Sequence, residues 1–179
     1  MPSYIALLRG VNVSGHHRIK MDRLRATFLE LGFRNVRTYF QSGNVVFDSG
    51  ATATSALGRR IEAQIQRDFG FRVPVIVRTP KEMATVVKHN PFLNATNVDV
   101  SRLHVTFLSE PAPGIANEAL RRLASGGEQV HVNGRTIYLH CPDGYGGSRL
   151  SNTAIERHLR VGATTRNWKT TNALLTMVA

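Results

Sequence analysis

Cysteine is nearly absent. Cys141 stands alone among 179 residues, so no internal disulfide framework exists. Acidic residues are few: twelve Asp and Glu face 23 Lys and Arg. The acids form no evident catalytic carboxylate pair or magnesium-binding cluster. The seven histidines make no i, i+4 helix pair and have no Cys partner spacing, so no zinc site is expected. Neither a metal nor a cofactor is expected. No apolar stretch nears the roughly 20 residues that a membrane helix needs, and residues 4–8 are typical of those present. The N-terminus opens directly on a strand-like pattern, not on a basic segment followed by a long apolar one. No signal peptide is read, and a cytoplasmic protein with no membrane partner is expected. Cys141 follows His140, but neighbouring strand residues face opposite ways, so the thiol is read as core rather than as a nucleophile.

What is present suits a soluble globular chain. Hydrophobic residues are 42% and charged residues 20%, which excludes wholesale disorder. A chain of this length buries roughly 70% of its unfolded surface and needs no staple to fold. The formal charge is +11 and is unevenly spread. Residues 1–37 carry seven cations against Asp22 and Glu30, and residues 144–179 carry five against Glu156. The two ends thus hold +5 and +4 of the total. Such a surplus favours an anionic partner, nucleic acid or a small phosphorylated ligand. Arginine outnumbers lysine 19 to 4, which also fits a base-composition bias with no partner behind it.

The chain reads as one pattern stated twice. A short apolar strand covers 4–9 and a loop covers 10–17. Met21, Leu24, Phe28 and Leu31 then recur at helical spacing up to Gly32. Strands at 36–41 and 44–48 flank Ser42-Gly43 as a two-residue hairpin turn. Leu57, Ile61, Ile65 and Phe69 mark a second helix stopped by Gly70, and 73–78 is a β-branched strand. The second half opens with a short helix from Thr79-Pro80 to Lys88, broken at Asn90-Pro91-Phe92. A strand at 102–109 follows, then a helix marked by Ile115, Ala119, Leu120 and Leu123. Strands at 128–132 and 135–141 flank Asn133-Gly134, and Ser151 caps a helix through Leu159. Here the repeat departs, because Thr165 reads as the N-cap of a C-terminal helix from Arg166, packed through Trp168, Leu175 and Val178. The fold class is α+β: two tandem ferredoxin-like subdomains, strand-helix-hairpin-helix order repeated, with an extra C-terminal helix. Residues 1–79 and 80–179 form the subdomains, packed as one compact unit. Phe28, Phe40, Phe47, Ile61, Val105, Ile137, Leu139 and Leu159 are the expected core.

Alternation sorts the strand faces. In the first hairpin Val36, Thr38, Phe40, Val45 and Phe47 face the core, and Arg37, Tyr39, Gln41, Asn44 and Val46 face away. In the second, Val130, Val132, Ile137, Leu139 and Cys141 face inward, opposite Gln129, His131, Thr136, Tyr138 and His140. Arg102, His104 and Thr106 form a further polar row. These polar faces either stack single-stranded bases or are covered. The glycine and aromatic run of RNA-recognition modules is absent, which favours covering.

The loops hold sharper candidates. Gly10, Asn12 and Gly15 lie between a strand and a helix, where backbone N–H groups can face an anion. The spacing to Lys20 is wrong for a P-loop, and the loop is not G-x-G-x-x-G. A second glycine loop, 143–149, leads to the helix capped at Ser151. Arg166 and Lys169, read in one first helical turn, sit against the helix dipole and call for a compensating anion.

The runs Ala6-Leu7-Leu8-Arg9-Gly10-Val11-Asn12-Val13, Ile19-Lys20-Met21 and Tyr39-Phe40-Gln41-Ser42-Gly43-Asn44-Val45-Val46-Phe47 resemble the bacterial family catalogued as domain of unknown function 1697. Asn90-Pro91-Phe92, Ser148-Arg149-Leu150-Ser151-Asn152 and Thr165-Arg166-Asn167-Trp168-Lys169-Thr170 are similar to its later motifs. The resemblance covers almost the whole chain and implies an α+β fold of two related subdomains. It implies no activity, cofactor or catalytic residue. His16-His17 stands where that family usually has lysine and a small polar residue, and Arg149 where lysine is common.

Three functions are consistent with the residues. In the leading one the protein binds a phosphate-bearing partner, nucleic acid or nucleotide-like, at a basic site. Arg9, Lys20, Arg149, Arg166 and Lys169 contact anionic oxygens there, while Asn12, Asn44 and Asn167 orient polar groups. The second is an enzyme acting on a small phosphorylated or carboxylated substrate, with the same arginines as clamps and Tyr39, His16 or His17 serving as base. The third is a structural or protein-interaction role in which the motifs are only turns and caps.

Overall fold

The computed structural model describes all 179 residues. Residues Met1–Ala84 with Leu174–Ala179 form one unit, and Thr85–Ala173 form a second.

In the first unit, strand β1 (Ser3–Leu8) is followed by helix α1 (Met21–Glu30), strands β2 (Arg34–Thr38) and β3 (Asn44–Asp48), helix α2 (Thr54–Phe69) and strand β4 (Val75–Arg78). The strands form an antiparallel sheet in the order β2-β3-β1-β4. Alternation decides what each strand buries. Tyr4, Ala6, Leu8, Val45, Phe47, Val75 and Val77 join Leu24 and Phe28 of α1 and Leu57, Ile61 and Ile65 of α2 in one core. Each such large apolar side chain contributes roughly 1.5–3 kcal/mol by leaving water. Helix α2 stops where the apolar stripe ends, at Gly70, whose φ of +79° is a left-handed cap that lets its N–H reach the Gln66 carbonyl.

The second unit repeats the scheme with β5 (Leu103–Leu108), α4 (Ala116–Leu123), β6 (Gln129–Asn133), β7 (Thr136–His140), α5 (Asn152–Leu159) and β8 (Ala163–Asn167), in sheet order β6-β7-β5-β8. Its core gathers Leu108, Leu120, Val130, Ile137, Leu139, Cys141, Ile155 and Leu159. Burial pushes the Cys141 thiol up to about 11, in keeping with an inert core residue. Ser151 caps α5, its Oγ accepting from the Ala154 N–H. Helices α3 (Pro80–Lys88) and α6 (Trp168–Val178) follow β4 and β8 directly.

Four expectations are corrected. First, residues 165–167 are not the start of a helix. They belong to β8, which pairs with β5 through Val105–Arg166 and Thr106–Thr165, so the fifth element repeats after all. Asn167 is the true cap, its Oδ1 accepting from the Thr170 N–H. Leu174 is fully buried, whereas Leu175, expected to pack, is only half-buried.

Second, the first hairpin loop is longer than two residues. Thr38 pairs with Val45, leaving 39–43 as the loop, and Phe40 is 66% exposed rather than core.

Third, the second hairpin turns at Gly134-Arg135, because Asn133 itself pairs with Thr136.

The faces opposite the helices are largely covered, the alternative that the missing glycine and aromatic run favours. Ile5, Leu7, Asn44, Val46 and Ile76 in the first sheet, and Thr136, Tyr138 and Thr164 in the second, are all almost inaccessible. The Tyr138 hydroxyl donates to the Val86 carbonyl at 2.8 Å, and burial raises its pKa to about 12. Fourth, His104 and Thr106 do not share that polar face. They pair with Leu139 and Ile137 and so lie on the α4/α5 side.

Candidate functional site

The eight residues expected to bind divide between the units. Arg9, Asn12, Lys20 and Asn44 belong to the first, and Arg149, Arg166, Asn167 and Lys169 to the second.

In the first unit the segment between β1 and α1 is unusual backbone. Gly10, Asn12, Ser14, Gly15 and His17 all have positive φ. Asn12 (φ +57°) holds the loop in shape. Its Oδ1 accepts from the Ile19 N–H at 2.8 Å, and its Nδ2 donates to the Ile19 carbonyl at 2.9 Å and the Gln41 carbonyl at 2.7 Å. Asn44 is fully buried, and its Nδ2 donates to the Tyr39 carbonyl and to Ser42 Oγ. Both side chains are therefore turned to bracing the backbone. Gly43 completes the brace. It has φ +78°, and a Cβ placed there would lie 2.7 Å from Leu8 Cβ, so only glycine lets the turn sit against β1. Arg9 is half-buried at the end of β1, with its N–H on the Pro74 carbonyl.

Loop, turn and α1 together line a cleft of about 780 Å³, walled by Arg18, Lys20 and Arg23 with Asp22, Asn12 and Gln41, and floored by Ile19, Met21 and Phe69. The Arg23 guanidinium lies over the Phe69 ring at 5.0 Å. His17 stacks on Phe71 with centroids 4.5 Å apart. Lys20 occupies the N-cap position of α1 and supplies no side-chain acceptor to the first turn, as a cation must. Arg18, Lys20 and Arg23 are exposed. Sequence reasoning named Lys20 and passed over Arg18 and Arg23. Their spacing around the start of the helical stripe, at i−3 and i+2 from Met21, was the signal.

In the second unit Arg166 is buried, and its Nη1 donates to Thr164 Oγ1 at 2.8 Å and to the Thr165 carbonyl at 3.0 Å. Loss of solvation lowers its pKa to about 10. As a strand residue ahead of the Asn167 cap it does not oppose a helix dipole, so the reason for expecting an anion beside it falls away. Lys169 is exposed in the first turn of α6, and Arg149 is exposed in the loop before α5. The later sequence motifs do meet. Thr165 Oγ1 donates to Asn152 Oδ1 at 2.7 Å, lies 2.7 Å from Thr106 Oγ1, and receives the Tyr145 hydroxyl at 3.2 Å. His104 stacks on Tyr145 at 5.0 Å. Its pKa is lowered by burial, partly offset by a hydrogen bond with the Arg102 backbone.

No three His, Cys, Asp or Glu side chains are grouped as metal ligands would be. No helix is long and apolar enough to cross a membrane.

Fold and geometry define an α+β protein with two similar sheet-and-helix units and a cation-walled cleft in the first. The chain belongs to the family described as Protein of unknown function (DUF1697), whose profile matches residues 1–138. Among solved structures it is similar to a conserved bacterial protein from Streptococcus pneumoniae, with TM-score 0.76, 20% identity and 99% of each chain covered. That likeness is one of fold. A search of curated proteins gives no match.

Proposed function

We propose that the first unit binds a phosphate-bearing partner, nucleic acid or nucleotide-like, in the cleft between the 10–17 loop, the 39–43 turn and α1. The observation that supports this reading is the cleft wall, where Arg18, Lys20 and Arg23 converge and Asp22 is the only acid lining it. Three cations brought to one cleft by the loop before α1 and the first turns of α1 raise the local potential and attract anionic oxygens. Placing these exposed cations in one cleft costs some mutual repulsion, which a bound anion would offset. Asn12 and Asn44 act in this reading as braces, and Lys20 keeps the role expected of it. Each unit is further proposed to be a ferredoxin-like module. Support comes from the strand, helix, two strands, helix, strand order and from sheet orders in which the first strand lies between the third and the last.

The test is binding of a labelled single strand and of a nucleotide panel to the wild type and to the Arg18→Ala/Lys20→Ala double variant. Both substituted side chains are exposed, so the fold should survive. For a strand, log K should fall with log salt by about 0.7 per phosphate neutralised, and the double variant should show a shallower slope. Binding that the double variant leaves unchanged would refute the reading.

A further inference from the structure

We infer that the partner of this cleft is a single-stranded nucleic acid, and that Phe40 is a base-stacking residue beside it; this rests on the anion-binding reading of the cleft. Phe40 is the observation that the fold alone does not account for. An aromatic ring of this size normally goes inside, and strand alternation predicts it inside. Instead it is 66% exposed at the tip of the β2–β3 hairpin, at φ +53°, a conformation that costs a bulky side chain energy. The turn does not drift into this shape. Asn12 clasps the Gln41 carbonyl, Asn44 clasps the Tyr39 carbonyl and Ser42, and Gly43 admits the turn against Leu8. Three separate devices therefore hold the turn in which Phe40 points into water.

The half-buried Tyr39 ring lies against Phe40, centroids 4.4 Å apart, and backs it. The next residue, Gln41, lines the cationic cleft. An exposed aromatic ring one residue before Gln41, which lines the same cleft as Arg18, Lys20 and Arg23, supplies the two elements that single-stranded nucleic acids require: a stacking platform for a base and cations for the backbone. The charge decides between this occupant and an apolar protein partner. The chain carries +11 overall, and cations outnumber acids in the cleft that the neighbouring Gln41 lines.

The experiment uses the full chain, a fluorescein-labelled oligothymidylate, and a strand of equal length whose central residues are abasic. Wild type should bind the thymidylate strand more tightly than the abasic one. Phe40→Ala should weaken binding to the thymidylate strand by about tenfold, in line with one stacked base, and leave binding to the abasic strand unchanged. Phe40→Trp should restore the loss. Arg18→Ala/Lys20→Ala should weaken both strands alike. Equal affinity of wild type and Phe40→Ala for the thymidylate strand, with the double variant impaired, overturns the stacking role and leaves the anion cleft standing. Failure of the double variant to weaken either strand overturns the cleft as well. If the wild type binds neither strand, both are wrong, and a protein partner becomes the occupant to seek.

Discussion

The Asn12 side-chain amide reaches the Gln41 carbonyl across 2.7 Å, tying the loop after β1 to the tip of the β2–β3 hairpin. The same amide forms a reciprocal pair with the Ile19 backbone. One side chain thus satisfies three backbone groups on two segments. Removing it leaves these groups short of partners at a half-buried site, which costs about 1–3 kcal/mol. Asn12→Ala should lower the urea midpoint by a matching amount, and Asn12→Asp should recover part of the loss through the Ile19 N–H alone. A midpoint equal to wild type for the alanine variant would show that water replaces the clasp.

Gly43→Ala tests the other side of the same turn. A methyl group there meets Leu8 Cβ at 2.7 Å while the backbone stays at φ +78°. The left-handed conformation costs an alanine about 1–2 kcal/mol, and forcing the turn off β1 adds about 1–3 more by overpacking. The expected loss is about 2–5 kcal/mol by urea unfolding. Gly134→Ala has no neighbour within 4 Å to meet, so it should show only the conformational share.

The duplicated architecture was legible because helical stripes such as Leu57, Ile61 and Ile65 and strands such as Val75–Arg78 carry their period in local sequence. Seven of the eight expected core residues are buried, Phe28 and Leu139 among them. Phe40 was misread because pairing register depends on the loop, and here Asn12, 29 residues upstream of Gln41 in sequence, acts with Gly43 and Asn44 to set a five-residue loop in place of a two-residue one. Arg166 was misread because Thr165 and Asn167 are equally good caps by residue type. Only its pairing with Val105 in β5, a contact 61 residues apart in sequence, selects the strand. That register has a counterpart in the first unit. Arg78 pairs with Ile5 as Arg166 pairs with Val105, and both arginines are buried. The cleft was half legible: Lys20 lies in a motif, whereas Arg18 and Arg23 carry only their spacing around Met21 as a signal, and the fold is what places all three on one cleft.

Polar residues mark one difference between the repeats. Ala6 and Val77 pair in the first unit, and Thr106 and Thr165 occupy the corresponding pair in the second. The second site therefore needs Asn152 and Tyr145 as partners for its hydroxyls. Asn152→Ala should cost about 1–2 kcal/mol by stranding the Thr165 hydroxyl. Combining it with Thr165→Val and Thr106→Ala, which copy the apolar repeat, should cost less than the sum of the three single changes. Strict additivity in urea unfolding would show that Asn152, Thr165 and Thr106 do not act as one network.

Acid stability should depend on Asp48. Its carboxylate accepts from Ser3 Oγ at 2.6 Å and from Asn35 Nδ2 at 2.7 Å. The Ser3 hydrogen bond, then that of Asn35, hold its pKa below the usual carboxylate value. The N-terminal amine and Arg37 add smaller pulls in the same direction, against the opposing effect of burial. A carboxyl whose folded pKa is depressed contributes stability above its unfolded value of about 3.9. That contribution is lost as pH falls through the folded value. Asp48→Asn should therefore narrow its stability gap to wild type as pH drops from neutral to below 4. Urea midpoints that run parallel across this range would remove Asp48 from the acid response.

Phe40 offers a stability test that needs no ligand. With its ring 66% exposed, it gives up little apolar burial when replaced. Its φ of +53° is one that asparagine tolerates far better than an aromatic residue. Glycine tolerates it too, but it gains freedom in the unfolded chain that offsets the relief. Phe40→Asn should therefore raise stability by about 0.5–1 kcal/mol, which for a chain of this size is a rise of roughly 2–4 °C in Tm per kcal/mol. Phe40→Gly should fall between asparagine and wild type, and Phe40→Val, β-branched, should be the least stable of the set. Strained residues kept in place at a cost to stability are a mark of sites held for function rather than for folding. If Phe40→Asn unfolds earlier than wild type, the ring is stabilising the turn, and its exposure is the by-product of a structural role.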